Sequence, residues 1–329
     1  MDPQWTQWTR NGQSEALAGA IRFRACRTVI KPGYHGAMSD ATPLVIAVLA
    51  AELVPAAAFG FAGDHMAQAV GRMPGSWRIL LPALLVLPYT VVATSRHMLR
   101  WDWFALYAAL PVVIAWLLSR AAQADPERRG NWRDALILLT LGLAVDLRWF
   151  DPAWPNGLAA LGKLLLVDAG LYGFQSIRQL DGTGFDFRLH WSDWKIGLRE
   201  LIFFAPLVVA LGLALGFIHP HADTPSLIRA VSRWLGIFVF VAIPEELFFR
   251  AWVQNLLQRR LGRRTALIIA SVLFGLSHFN KRSTHFNWRY VLLATMAGVF
   301  YGRAWRDRRR VPASTITHTF VDWIWSWWF

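Results

Sequence analysis

Cysteine is almost missing from this chain: Cys26 stands alone among 329 residues. An intrachain disulfide and a cysteine-based zinc cluster are both excluded by that count. No GxxxxGK(S/T) phosphate loop, no HExxH metal-binding helix, no internal repeat and no low-complexity tract occurs in the sequence. A secretory signal peptide is not expected either. The charged N-terminal residues are not followed by a short apolar core and a cleavage site. Acidic residues are scarce, 21 against 34 Lys and Arg, for a formal charge of +13. Nowhere is there a convincing boundary for a soluble domain.

What fills the chain is apolar sequence. Hydrophobic residues make up 55% of it and fall into long blocks divided by short basic loops. A helix crosses a bilayer core with roughly 17–25 apolar residues. Only a structure that satisfies its own backbone hydrogen bonds survives in lipid, so the blocks read as helices. Candidate spans fall near 42–61, 79–95, 103–119, 134–150, 157–175, 198–218, 235–257, 265–279, 289–304 and 312–328. The expected fold is an all-α polytopic membrane helix bundle of eight to ten transmembrane helices. Residues 1–41 read as a basic, poorly ordered N-terminal segment, 42–218 as N-terminal transmembrane helices and 219–329 as the core that carries the chemistry. Met38, directly before the first block, is a candidate translation start.

The positive charge sits between the blocks, at Arg128, Arg129 and Arg133, at Arg259, Arg260, Arg263 and Arg264, and at Arg303, Arg306 and Arg308–Arg310. Such loop clusters signal topology rather than nucleic-acid binding. The loops near 120–133, 176–197, 255–264 and 303–310 form the more basic set and are expected to be cytoplasmic. Nineteen Trp residues, several in the closing Trp323-Ile324-Trp325-Ser326-Trp327-Trp328, fit a membrane interface.

A charge at the bilayer centre costs about 2.5–3.5 kcal/mol on insertion scales, so each ionisable group at that depth asks for a reason. Glu52, Asp146, Lys163, Asp168 and Glu200 admit structural ones: isolation beside Pro55 for Glu52, a span end for Asp146, pairing or snorkelling for Lys163 and Asp168. The second half is denser. Pro244-Glu245-Glu246-Leu247-Phe248-Phe249-Arg250 puts two carboxylates and a guanidinium inside one apolar run. Glu246 and Arg250 are four apart and share a helix face, with the acid on the N-terminal side. Glu245 is turned about 100° away and is left over. Phe274-Gly275-Leu276-Ser277-His278 closes the next run, and His318-Thr319-Phe320-Val321-Asp322 repeats the i, i+4 spacing in the last. There the carboxylate can fix the imidazole tautomer. A set of this kind can bring a general base and hydrogen-bond donors to one pocket. Ser277 adjoins His278 in sequence but is expected on another helix face.

These three motifs, in this order and each on its own apolar run, resemble the EExxxR, FxxxH and HxxxN/D motifs of the CAAX protease and bacteriocin-processing family, which includes the type II CAAX prenyl endopeptidases. The resemblance covers about 235–329. It implies a glutamate-type intramembrane endopeptidase without cofactor or metal. Glu245 and His278 would activate water, Glu246 with Arg250 would hold the local structure, and His318 with Asp322 would stabilise the oxyanion or orient the pocket. Many members carry Asn where this chain has Asp322. The implied partners are the bilayer and a membrane-tethered polypeptide or peptide, processed in the manner of CAAX tails, C-terminal sorting tails or bacteriocin precursors. The implied location is a bacterial inner membrane, with multiple passes.

Two other classes use the same residues. A zinc metalloprotease would join Glu245 or Glu246 to His278 and His318. A transporter would use the buried acids and histidines as a proton relay, and an immunity or scaffold protein would use the bundle for binding alone.

Overall fold

The computed structural model describes residues 42–221, 223–283 and 285–329. The basic segment 1–41, with Cys26 and the candidate start at Met38, lies outside the described residues. Within the unit Met1–Ile46 only the opening of the first helix is described, where the Thr42 hydroxyl accepts the Val45 N–H at 3.4 Å. The unit Ala47–Phe329 is built of helices and connecting loops, with no strand among the described residues.

Among the described residues a helical segment lies on each of the expected apolar blocks, with a short 3-10 turn at Asp151–Ala153 between the fourth and fifth. The segments are α1 (Pro43–Gly71), α2 (Gly75–Ser95), α3 (Trp101–Ala124), α4 (Trp132–Asp146) and α5 (159–177). Then come α6 (Trp191–Ala214), α7 (227–261), α8 (263–276), α9 (Trp288–Arg308) and α10 (Val311–Trp328). Helices α1, α2, α3 and α6 and the α7–α8 run are long and apolar enough to cross a membrane. Their outer faces remain apolar: Val54, Ile202, Phe203 and Ile268 are each more than half exposed. Such a belt is unfavourable in water and suits lipid. The protein is an integral membrane protein.

Local chemistry explains the breaks. Ala62 leaves helical geometry (φ −140°, ψ 35°) and bends α1 near the end of its apolar block. The α7–α8 run is interrupted at Gly262, whose φ of 77° suits a residue without Cβ. Pro244 has no N–H and crowds the carbonyl four residues back, and just before it α7 widens to i, i+5 turns over Phe238–Ala242. It widens again over Leu247–Gln254. Insertions of this kind recur at functional sites.

The basic loops meet at one end of the bundle. Buried Arg178 binds Asp125 at 2.5 Å and Asp134 at 2.9 Å. Arg259 reaches Asp181 and the Arg128 carbonyl, and Arg260 the Gly130 carbonyl. Arg310 spans Asp186 (3.1 Å) and Asp193 (2.8 Å). Two of these acids are also helix caps. Asp134 accepts the Asn131 N–H and Asp193 the His190 N–H, each at 2.8 Å. Helix starts and loop cross-links thus share the same carboxylates. Burial raises the Asp125 carboxyl, but the Gly130 and Arg129 amides and the Arg178 guanidinium outweigh it and hold the group below its usual range.

Candidate active site

The six motif residues converge on α7, α8 and α10. Glu246 and Arg250 are both fully buried, with Arg250 Nε 2.9 Å from Glu246 Oε2, as the i, i+4 spacing requires. The other Glu246 oxygen faces His318 Nδ1 on α10 at 2.9 Å. One carboxylate thereby ties α7 to α10 and neutralises the arginine. Arg250 also reaches Gln254 (3.5 Å), whose amide donates to the Gly302 carbonyl on α9 at 3.2 Å. Each buried charge in this chain of contacts has an opposite or polar partner, without which burial would be strongly unfavourable.

Glu245 is treated differently. Its side chain is 26% exposed, and its nearest ionic neighbour is His318 Nε2 at 3.9 Å. Its Oε2 has no hydrogen-bond partner. The charges of Lys281, His318, His278 and Lys163 all act on it. Asp322 Oδ2 lies 3.5 Å from the same His318 nitrogen. His318 therefore has one nitrogen held firmly by Glu246 and one loosely held between two further carboxylates. Tyr301 stacks on its ring (4.6 Å between centroids, 15°), which leaves the imidazole little freedom to turn.

His278 ends the α8 run beneath this group. Its Nδ1 is 2.8 Å from the Phe274 carbonyl. A carbonyl only accepts, so Nδ1 carries the hydrogen and Nε2 presents a lone pair. The Ser277 hydroxyl also donates to the Phe274 carbonyl (2.8 Å) and sits 3.2 Å from His278 Nδ1. It is thus nearer the imidazole than its place on another helix face suggests, yet its proton is spent on the backbone. Phe274 is the hub of the packing. Its ring lies against Phe249, Tyr301, His278 and His318, with the Arg250 guanidinium 5.2 Å above it. Gly275 lets α8 meet α9 closely, since a Cβ there would run into Thr295 and the Val291 carbonyl.

A cavity of about 90 Å³ between α6, α9 and α10 ends on His278, His318 and Asp322 and is otherwise lined by apolar residues such as Phe204, Ala297 and Val321. Among the described residues no group of three or more His, Cys, Asp or Glu side chains is placed to hold a metal.

The earlier acids divide by environment. Glu200 is buried and bridged by Arg199 (2.7 Å) and Arg303 (3.1 Å), which makes it structural. Asp168 makes no ion pair with Lys163 among the described residues; its Oδ2 is buried without a partner, as are both oxygens of Glu52. Lys163 and Asp146 belong instead to the surroundings of Glu245. Tyr301, Tyr290 and Gln254 also touch the site. No periodicity in the sequence marks them, since each sits in an ordinary helical run.

The arrangement defines a helical membrane protein with a buried acid–base cluster next to an apolar cavity. Residues 227–324 match the family model for type II CAAX prenyl endopeptidase Rce1-like proteins, the family that the ordered motifs resemble. The match covers just under a third of the chain, the part that carries the three motifs. No curated protein and no solved structure matches the chain.

Proposed function

We propose that the protein is a glutamic intramembrane endopeptidase that hydrolyses a peptide bond of a membrane-associated polypeptide, with Glu245 as general base. The observation that carries the reading is the contrast between two adjacent carboxylates. Glu246 is consumed by Arg250 and His318, whereas Glu245 keeps an unpartnered oxygen beside an imidazole. In this reading Glu245, helped by the free Nε2 of His278, takes a proton from water as the oxygen attacks the carbonyl carbon. The carbonyl π-bond breaks and an oxyanion forms. The His318 Nε2 hydrogen, committed to neither Asp322 nor Glu245 at normal hydrogen-bond length, is available to that oxyanion. Collapse of the intermediate breaks the C–N bond, and the proton held by Glu245 goes to the leaving amine. Glu246 and Arg250 position His318 rather than react.

The basic end of the bundle is the cytoplasmic one in this reading, and the membrane is a bacterial inner membrane. The zinc alternative would join Glu245 to the Nε2 atoms of His278 and His318, whose Nδ1 atoms face the Phe274 carbonyl and Glu246. The test uses purified protein in lipid nanodiscs with a library of membrane-anchored peptides, read by mass spectrometry. Wild-type protein should release defined fragments, Glu245→Gln none, and prior dialysis against a strong chelator should change nothing. Fragment release by Glu245→Gln at the wild-type rate would refute the assignment. Activity lost on chelation and recovered with zinc would favour the metalloprotease.

A further inference from the structure

Glu52 and Asp168 lie outside the three motifs and outside residues 227–324, and no step of the hydrolysis uses them. Each is only 3% exposed. Glu52 turns from α1 into the bundle, where its carboxyl group lies near that of Asp168 on α5 and near the Tyr107 hydroxyl on α3. Both Glu52 oxygens and Asp168 Oδ2 are buried without a hydrogen-bond partner. The polar groups around them are spent elsewhere. Tyr107 accepts the Trp154 Nε1–H at 2.6 Å, and Tyr89 accepts the Arg100 N–H at 3.2 Å. Lys163, five residues before Asp168, acts on Glu245 and Asp151 instead. No cation pairs with either acid among the described residues.

The two acids stand at the same depth. The Gly60 carbonyl accepts the Phe187 N–H, from the loop after α5, at 2.8 Å. Glu52 is eight residues before Gly60, and Asp168 is nine before the end of α5 at Ile177. At 1.5 Å per residue both lie roughly 12–14 Å inward from that loop. The loop clamps α1 at this one level. Arg188 donates to the Phe61 carbonyl at 2.7 Å, Phe187 meets Phe61 edge-on, and a Cβ on Gly60 would strike the Phe187 ring. Residues 43–59 make no hydrogen bond to another helix among the described residues, and Val54 on the far face is 61% exposed. Along that stretch the polar feature facing the bundle is Glu52.

Two carboxylates side by side in an apolar site cannot both be charged. A protonated carboxyl group is a donor and its neighbour an acceptor, so a proton turns repulsion into a hydrogen bond. Calcium and magnesium ask for six or more oxygen ligands, and among the described residues no third His, Cys, Asp or Glu joins this pair.

We propose that Glu52 and Asp168 are a proton-binding pair that fastens α1 to α5 inside the membrane. With a proton bound, a carboxyl–carboxyl hydrogen bond closes between the two helices. With the protons lost to water, two negative charges face each other in lipid, and residues 43–59 swing away from the bundle on the Gly60 clamp. The site is separate from the chemistry at Glu245 and does not depend on the peptidase reading.

The test uses full-length Cys26→Ser protein in phosphatidylcholine nanodiscs. Spin labels on Val54→Cys and Leu139→Cys, exposed positions on α1 and α4, report the distance between the helices. The distance distribution should be narrow at pH 6 and about twofold broader at pH 10. Glu52→Gln combined with Asp168→Asn, neutral at both pH values, should stay narrow at both. Infrared spectra at pH 6 should show a protonated-carboxyl C=O band that either single amide variant weakens and that pH 10 reduces in the wild type. Wild-type distances and spectra that do not change between pH 6 and pH 10 overturn the proposal. So does equal broadening in the double amide variant, which would assign the motion to other groups. A C=O band that disappears when sodium replaces choline at constant ionic strength would make the pair a metal-cation site and equally overturn it. The wild-type pH and sodium responses need no amide variant, so they decide the matter even where such a substitution prevents folding.

Discussion

Replacing Asp322 by Asn separates charge from hydrogen bonding at the loosely held side of His318. Three carboxylates surround that ring, Glu246 at 2.9 Å from Nδ1 and Asp322 and Glu245 at 3.5 and 3.9 Å from Nε2. At an effective dielectric constant near 20, each contributes about 4–6 kcal/mol of attraction for a charged imidazole, with Glu246 the largest. Asp322→Asn removes one of the two weaker contributions and leaves the strongest in place. The amide oxygen can still accept from Nε2–H, and its N–H₂ can donate to a developing oxyanion. Asp322→Asn should therefore keep most of the wild-type turnover. Asp322→Ala removes both partner and shape, and should lose activity by about 10²–10³, the usual effect of a missing oxyanion-hole group. The assay is kcat and KM on the peptide cleaved best from the anchored library, with thermal unfolding of each variant as the folding control. If Asn and Ala are equally damaging while both variants fold normally, the negative charge itself is required and the reasoning fails.

Glu245→Gln and His278→Ala should each lower kcat by about 10²–10⁴ with wild-type expression and unfolding, since a general base contributes that much; turnover within threefold of wild type would remove either from the mechanism. Arg250→Met leaves Glu246 buried without its guanidinium and should cost about 3–5 kcal/mol, measured as the shift of an SDS-titration unfolding curve; a loss below about 1 kcal/mol would mean the pair is not what stabilises α7. The carboxyl of Asp125 is held below its unfolded value, so its contribution to stability is complete above about pH 4 and disappears as the pH falls through the folded value. The melting temperature of Asp125→Asn should accordingly lie below wild type at pH 6 and approach it on acidification, and a constant gap down to pH 2.5 would count against this account. In a Cys26→Ser background, single cysteines placed at Arg263 and Arg308 should react only with reagents entering from the cytoplasm; labelling from outside would reverse the orientation.

Much of the C-terminal geometry was readable from spacing. Glu246 and Arg250, and His318 and Asp322, stand four apart, and the helix repeat brings each pair together whatever the rest of the protein does. The isolation of Glu245 from Arg250 follows from the same repeat. The apolar blocks located the helices, because a backbone in lipid has few alternatives, although α1 runs past its predicted end at 61 to Gly71 by bending at Ala62. The grouping of the basic loops at one end also follows from counting spans, and the arginine cross-links between them agree with it.

Other features depend on how the helices are rotated against one another, and no local repeat encodes that. Periodicity states which residues share a face, not which neighbour the face meets. Glu246 binds His318 across 72 positions of sequence, and Tyr301 stacks on the same imidazole from a third helix. His278 spends one nitrogen on its own helix, at Phe274, which sets its tautomer. Lys163 had Asp168, five residues on, as a plausible partner, yet its charge acts near Glu245 while the Asp168 carboxyl group lies buried near that of Glu52. The sequence by itself determined the membrane helices, the two i, i+4 pairs and the unpaired acid beside them, because these depend on local geometry and on lipid as a solvent. Only the packing decided that the pairs share one carboxylate, that the imidazole is clamped by a tyrosine, and that an apolar cavity ends beside it. Those are contacts between surfaces whose mutual orientation is set by the fit of all the helices together.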